Sequence, residues 1–333
     1  MLANDTGQLF VVGLKSYPVP DAFITLINDY DISGVMFLSK NYNNPKHIKA
    51  AIHSINSRSN TSQPIWYCID QEGGRVQRII KNTTRYPNAK DVAIKGSEAY
   101  SRSVSRGIAT QLSQVGIHIN FAPVLDVLRH PKNRVIGTRS YGAKPKVVER
   151  EGRYFVEEHL KKGVFPVLKH FPGHGQSSED SHHILPMHSS PSTFDSHDLA
   201  PFKALIEQGK APMIMMSHVL YPHLDVRIPA SLSRRIVTGL LKQELGYKGI
   251  IFTDDLSMGA ISMNFTLEKA TLLAISAGVH QVLIVDDSTQ LKRVLDYVTA
   301  KRISNEAFNR SVIERIKKVQ LYKQYQQALT RTH

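Results

Sequence analysis

The sequence predicts an α/β fold, a single-domain (β/α)8 barrel of the TIM type, and three observations carry that prediction. Eight short apolar runs rich in β-formers alternate with longer segments of helical period. The runs are almost continuously apolar, as parallel strands buried on both faces must be. Seven of the eight end in polar or ionisable residues, which a barrel gathers on one rim, the rim where barrel enzymes place their sites. A chain of 333 residues accommodates one barrel of about 250 residues with extensions. An open doubly wound sheet is the alternative that alternation alone leaves.

Taken in order, residues 8–15 form the first run and residues 34–40 the second, which ends at Lys40 before a helical segment at 46–56. Residues 64–70 end on Asp70 and are followed by a helix at 100–115. Residues 118–126 end on Asp126, with a helix at 145–162. Residues 164–170 end on Lys169 and His170, with a helix at 197–208. Residues 212–218 end on Ser217 and His218, with a helix at 233–245. Residues 249–254 lead into Asp254 and Asp255, with a helix at 267–277, and residues 281–286 lead into Asp286 and Asp287. Gly116, Gly163, Gly209, Gly246 and Gly278 stand where a left-handed residue would stop a helix. A last helix is predicted at about 304–330. There Val312, Ile316, Val319 and Tyr322 recur at helical spacing, so its basic residues are read as a solvated face.

Composition excludes several classes. Hydrophobic residues make up 41% and charged residues 21%, a globular balance. No apolar run reaches the ~18 residues of a membrane span, and the first residues lack the basic and apolar regions of a signal peptide. A cytoplasmic protein is therefore expected, with no membrane partner. Cys68 is the single cysteine, which rules out an internal disulfide or a Cys-rich zinc site. The net charge of +14 permits a polyanion partner, but no helix-turn-helix, RNP or zinc-finger spacing is present, and nucleic acid is not expected. Residues 301–333 hold eight Lys or Arg against two Glu. Serine-hydrolase elbows, Walker loops and dinucleotide-binding glycine motifs are absent. Four Asn-x-Ser/Thr sequons, beginning at Asn4, Asn60, Asn82 and Asn264, carry no weight in a chain that is not secreted.

Three stretches could do chemistry. The segment from Lys169 to His183 leaves a strand end and holds four histidines and Asp180. A metal reading would recruit His170, His174, His182 and Asp254. Lys169 beside His170 argues against it, since an ammonium repels a cation, and no metal is expected. Asp180 and His182 read better as a pair, the carboxylate fixing one imidazole nitrogen and leaving the other for general acid–base work. In the second stretch Asp70 ends a strand, Gly73 and Gly74 permit a tight turn, and Arg75 and Arg78 follow. A carboxylate there suits the hydroxyls of a polyol. In the third, two adjacent carboxylates, Asp254 and Asp255, end a buried strand. One could be a nucleophile and the other a solvated or capping neighbour; residue types leave both assignments open.

Together these stretches resemble glycoside hydrolase family 3, in its single-domain bacterial β-N-acetylhexosaminidase form. The resemblance rests on Asp70-Gln-Glu-Gly-Gly-Arg-Val-Gln-Arg78, Asn120-Phe-Ala-Pro-Val-Leu-Asp126, Ile136-Gly-Thr-Arg139-Ser-Tyr, Lys169-His-Phe-Pro-Gly-His-Gly with Asp180-Ser-His182, and Asp254-Asp-Leu-Ser-Met. These run in family order from about residue 64 to 260. The chain departs from the family at Gln176, where many members have Asp, and after Met258, where several have Glu. The resemblance implies Asp254 as nucleophile, His182 as acid/base with Asp180 as its partner, and Asp70, Arg78, Arg139, Lys169 and His170 as sugar-binding residues. It implies the same barrel, no cofactor, a monomer, and a substrate such as GlcNAc linked β-1,4 to 1,6-anhydro-N-acetylmuramic acid, with or without stem peptide. Two alternatives stand beside it: a phosphorylase of the same fold, and a non-catalytic polyanion-binding protein.

Overall fold

The computed structural model describes residues 5–38, 41–130, 132–177, 185–188, 191–285 and 289–331. Its eight parallel strands are β1 Phe10–Leu14, β2 Gly34–Phe37, β3 Trp66–Ile69, β4 Ile119–Asn120, β5 Phe165–Phe171, β6 Met213–Met216, β7 Ile250–Thr253 and β8 Val282–Ile284. Each pairs with its sequence neighbours, and β8 pairs with β1. The seam between β7 and β8 closes through one bridge, Phe252 to Gln281, reinforced by the Leu283 amide donating to Thr253 Oγ1 at 3.0 Å. The result is a barrel, and the doubly wound alternative is excluded.

Alternation decides which side chains face the axis. Trp66 and Cys68, Phe165 and Val167, Met213 and Met215, and Ile250 and Phe252 fill the interior with Val11, Met36, Ile119 and Phe121. The intervening residues, such as Val12, Val35, Tyr67 and Ile251, pack outward against the helices. Both faces are thus apolar, as the continuous runs require.

The predicted helices are present with shifted ends. The helices among the described residues are α1 Asp21–Tyr30, α2 Pro45–Arg58, α3 Ala89–Lys95, α4 Glu98–Gln114, α5 Pro145–Leu160 and α6 Ala200–Glu207, then a π-helix Arg235–Glu244, α7 Gly259–Ser262, α8 Leu267–Ala277, α9 Thr289–Ser304 and α10 Glu306–Arg331, of which α1, α3, α7 and α9 were not read from sequence. Side-chain caps set several starts: Asn44, Ser97 and Thr266 each accept a backbone N–H three residues on. The five glycines predicted as stops all adopt positive φ. The run at 118–126 yields only a two-residue regular strand, although the chain stays bonded to its neighbours, with the Phe121 amide on the Ile69 carbonyl and Val124 bridging Lys169.

The last helix corrects the expectation of a solvated basic face at Lys323, while Arg310 and Lys317 are exposed as expected. It begins at Glu306, and α10 crosses the N-terminal end of the barrel as its floor, with Val312, Ile316 and Val319 buried. Lys323 shares that face and is only 2% exposed. Its ammonium donates to the Ser33 carbonyl at 2.9 Å and lies 5.4 Å from the Trp66 ring centroid. Gln326 accepts from Trp66 Nε1 and donates to the His118 carbonyl, both at 2.9 Å. No helix among the described residues is long and apolar enough to cross a membrane.

Burial pushes the Lys323 amine down to about 7, with Asp31 only partly opposing it. Because an unfolded lysine titrates near 10.5, the unfolded chain binds a proton here that the folded chain does not. Stability therefore rises with pH between about 7 and 10.5. Chemical denaturation of Lys323→Met at pH 7.5 and 9 is expected to remove roughly 2 kcal/mol of that rise. The Ser33 carbonyl keeps its partner in the variant, since it also accepts from the Trp66 amide.

Candidate active site

The alternation that fills the barrel with apolar side chains continues past the strand ends. After Trp66 and Cys68 comes Asp70; after Phe165 and Val167, Lys169; after Ile250 and Phe252, Asp254. All three line a cavity of about 390 Å³ at the C-terminal end of the strands, within the usual size of a small-molecule site. His170 joins them on the same wall because the β5–β6 register shifts between Leu168 and Phe171.

Asp70 is clamped from two sides. Its Oδ2 accepts from Arg78 Nη2 and its Oδ1 from Lys169 Nζ, each at 2.8 Å. A hairpin delivers Arg78: Gln71–Gly73 pairs antiparallel with Val76–Gln77. The turn needs glycine at Gly73 and Gly74, with φ of 102° and 58°, and a Cβ at Gly73 would fall 2.3 Å from the Pro87 carbonyl oxygen. Gln71 fixes the return by accepting from the Arg78 and Ile79 amides at 2.7 and 3.1 Å. Burial acts to raise the Asp70 carboxyl, but Lys169 and then Arg78 hold it well below the usual carboxylate range.

Glu72, which the sequence reading passed over, joins the second half of the network. It takes Arg139 in a two-pronged contact, 2.8 Å at each oxygen, and accepts from Lys169 at 2.7 Å. Against the pull of burial, Arg139 and Lys169 bring its carboxyl down to about 2. Lys169, 3% exposed, is correspondingly raised by Asp70 and Glu72 although burial alone would lower it. Asp126 was read only as a strand end. It is fully buried and orients the histidines: its Oδ2 lies 2.6 Å from His170 Nδ1, and its Oδ1 accepts from the His174 amide at 2.7 Å. His170 Nε2 is left facing Arg139 Nη2 at 3.5 Å. His174 also lines the cavity; burial brings it to about 4, so it is neutral at ordinary pH.

Asp254 and Asp255 take different roles. Asp255 accepts from the Ser257 amide and hydroxyl at 3.0 and 2.6 Å and from the Val285 amide at 2.9 Å. It ties the β7 loop to the end of β8, and burial raises its carboxyl. Asp254 faces the cavity, with Oδ1 accepting from the Asp255 amide at 2.8 Å. Burial would raise it, but His218 and His170 are the largest opposing influences, and it stays below the ordinary carboxylate range. His218 was also missed from sequence: burial lowers its pKa against the opposing pull of Asp254, its Nε2 lies 2.9 Å from the Asp255 carbonyl and its Nδ1 2.8 Å from Ser231 Oγ.

Of the predicted site residues, Asp70, Arg78, Arg139, Lys169, His170 and Asp254 converge on one cavity. Asp180 and His182 lie outside the described residues. Among the described residues, no three His, Cys, Asp or Glu side chains gather as a metal site would require.

The description "Glycosyl hydrolase family 3 N terminal domain" matches residues 1–319. The chain belongs to glycosyl hydrolase family 3. It is 35% identical over 303 residues to Beta-hexosaminidase A of Pseudoalteromonas piscicida, a match that covers 84% of this chain and 50% of that protein. The chain thus spans about half the length of that relative. Beta-hexosaminidase of Alkalilimnicola ehrlichii is 32% identical over 337 residues, covering 96% of this chain and 94% of that one. Among solved structures, a glycoside hydrolase family 3 beta-N-acetylglucosaminidase from Paenibacillus sp. str. FPU-7 matches with TM-score 0.91 and 32% identity, over 99% of this chain and 63% of that one. The barrel is the fold of these relatives.

Proposed function

We propose that this member of family 3 is a retaining β-N-acetylhexosaminidase that removes non-reducing terminal GlcNAc from peptidoglycan fragments. The hexosaminidase activity rests on the family and on the relative matched almost end to end. The mechanism rests on one observation above all: of two adjacent carboxylates, Asp254 opens onto the cavity, while Asp255 is engaged by the loop backbone and Ser257.

In this reading Asp70, still holding free lone pairs beside Arg78 and Lys169, accepts from sugar hydroxyls while Arg78, Lys169, Arg139 and His170 fix the ring. That orientation makes attack effectively intramolecular. An Asp254 oxygen attacks the anomeric carbon as His182, poised by Asp180, protonates the departing glycosidic oxygen. His182 then takes a proton from the water that attacks the same carbon, releasing GlcNAc and regenerating Asp254. A histidine in place of the second carboxylate keeps a further negative charge away from the anionic nucleophile. No cofactor enters. The substrate is GlcNAc linked to 1,6-anhydro-N-acetylmuramic acid, with or without peptide, and the setting is cytoplasmic peptidoglycan recycling by a monomer.

Release of 4-methylumbelliferone from its β-GlcNAc glycoside is expected to resist EDTA; complete loss with the chelator would overturn the reading. The pH profile gives a second check. Because Asp254 stays ionised below the ordinary range, the acid limb of kcat/KM is expected below about pH 4. The alkaline limb reports the proton His182 must donate and should vanish in His182→Ala, with a loss of ~10²–10⁴-fold on substrates with poor leaving groups.

A further inference from the structure

We infer that the mouth of the cavity holds a carboxylate-binding subsite for the leaving group, formed by Arg75 and Arg134. The inference rests on the hydrolase reading above and adds what that site selects beyond GlcNAc.

The charges around the cavity fall into two sets. Deep in the cavity every cation has an anion: Lys169 and Arg78 hold Asp70, and Arg139 and Lys169 hold Glu72. Those side chains are largely shielded, Lys169 at 3% and Arg139 at 11% exposure. Arg75 and Arg134 line the same cavity but are exposed, and no carboxylate among the described residues pairs with either. They sit on different segments. Arg75 follows the two-glycine turn, and its Nη2 donates to the Arg134 carbonyl at 2.6 Å and to the Val135 carbonyl. That contact spends one edge of the guanidinium on holding the 134–135 backbone. It brings the two cationic side chains to one side of the opening. Val76, Val135 and Met258 line the remaining wall.

A sugar alone would leave this pair idle, because hydroxyls are served by the network below. An apolar wall flanked by two uncompensated guanidiniums matches a leaving group with an apolar edge and a carboxylate. Guanidinium–carboxylate contacts are directional and stronger than neutral ones. At an exposed rim they are also screened by salt. The free lactyl carboxylate of a peptide-free N-acetylmuramic unit has this chemistry; an aryl leaving group, or the GlcNAc released from chitobiose, does not.

The test is a matched pair: GlcNAc-β-1,4-anhydro-N-acetylmuramic acid and its methyl ester, which differ only in the charge. Wild type is expected to favour the acid in kcat/KM by about 10-fold or more at low ionic strength, with the preference shrinking in 0.5 M salt. Arg134→Gln should reduce the acid-to-ester ratio about 10-fold; Arg75→Lys, which keeps the charge but not the fork, should reduce it less. Equal handling of acid and ester by wild type overturns the subsite, as does a ratio unmoved by Arg134→Gln. Release of methylumbelliferone from the β-GlcNAc glycoside separates the two ideas. Turnover there with no acid preference rejects the subsite alone, whereas no turnover on any β-GlcNAc substrate rejects the hydrolase reading and the subsite together.

Discussion

Asp254→Asn is expected to lower turnover of 4-methylumbelliferyl β-GlcNAc by at least ~10³-fold while leaving Tm nearly unchanged, since the Asn Oδ1 can still accept from the Asp255 amide. The same substitution one residue on should do the reverse. Asp255 accepts from two backbone amides and a hydroxyl, and an amide group there cannot accept at every one of those points. Asp255→Asn should therefore cost about 1–3 kcal/mol of stability and leave kcat within a few-fold. Calorimetry beside steady-state kinetics reads both. The pair discriminates sharply: equal loss of activity in the two variants would show that Asp254 has no special place. A further arm uses Asp254→Gly with azide. Azide attacking the anomeric carbon from the nucleophile's side displaces the aglycone and should yield the α-glycosyl azide, seen by NMR, which a general structural defect would not produce.

The second large effect falls on Glu72. Its side chain is 5% exposed, and it anchors both Arg139 and Lys169. In Glu72→Gln two buried cations lose a compensating charge. Breaking a buried pair in this way costs about 3–5 kcal/mol, a drop in Tm of roughly 4–7 °C for a domain of this size. KM should rise as well, because Arg139 and Lys169 are the groups proposed to hold the sugar. The pH dependence has a defined sign. The Glu72 carboxyl is held at about 2 in the folded chain, below its unfolded value near 4.3. Its contribution is thus fully present above that unfolded value and is lost as pH falls toward 2. Acid denaturation of Glu72→Gln should lack that component. An unchanged acid profile would count against the charge network.

Much of the fold was legible because both strand faces are apolar and glycine stops follow the helices, so the count of eight could be read without tertiary information. The site was legible in part. Asp254 and Asp255 looked equivalent as residue types, yet the i, i+2 spacing from Ile250 and Phe252 points only Asp254 at the axis. The same rule runs from Trp66 through Cys68 and Asp70 to Glu72, so Glu72 carried a usable signal. Asp126 carried less, because the regular strand ends at Asn120 and alternation lapses. His218 falls on the wrong parity and reaches its place through the loop after β6, where no periodicity applies. Lys323 was misread by residue type: it follows Val319 by four and Ile316 by seven, on the stripe that the helix buries.

That stripe has a consequence for how the chain is made. The barrel floor comes from α10, and Trp66 meets Gln326 across 260 positions of sequence. During synthesis, at about 5–20 residues per second, the inner wall around Trp66 emerges long before the helix that covers it. Until α10 has been synthesised, that end of the barrel interior lacks its cover, so closing it waits on a helix that follows Trp66 by some 260 positions.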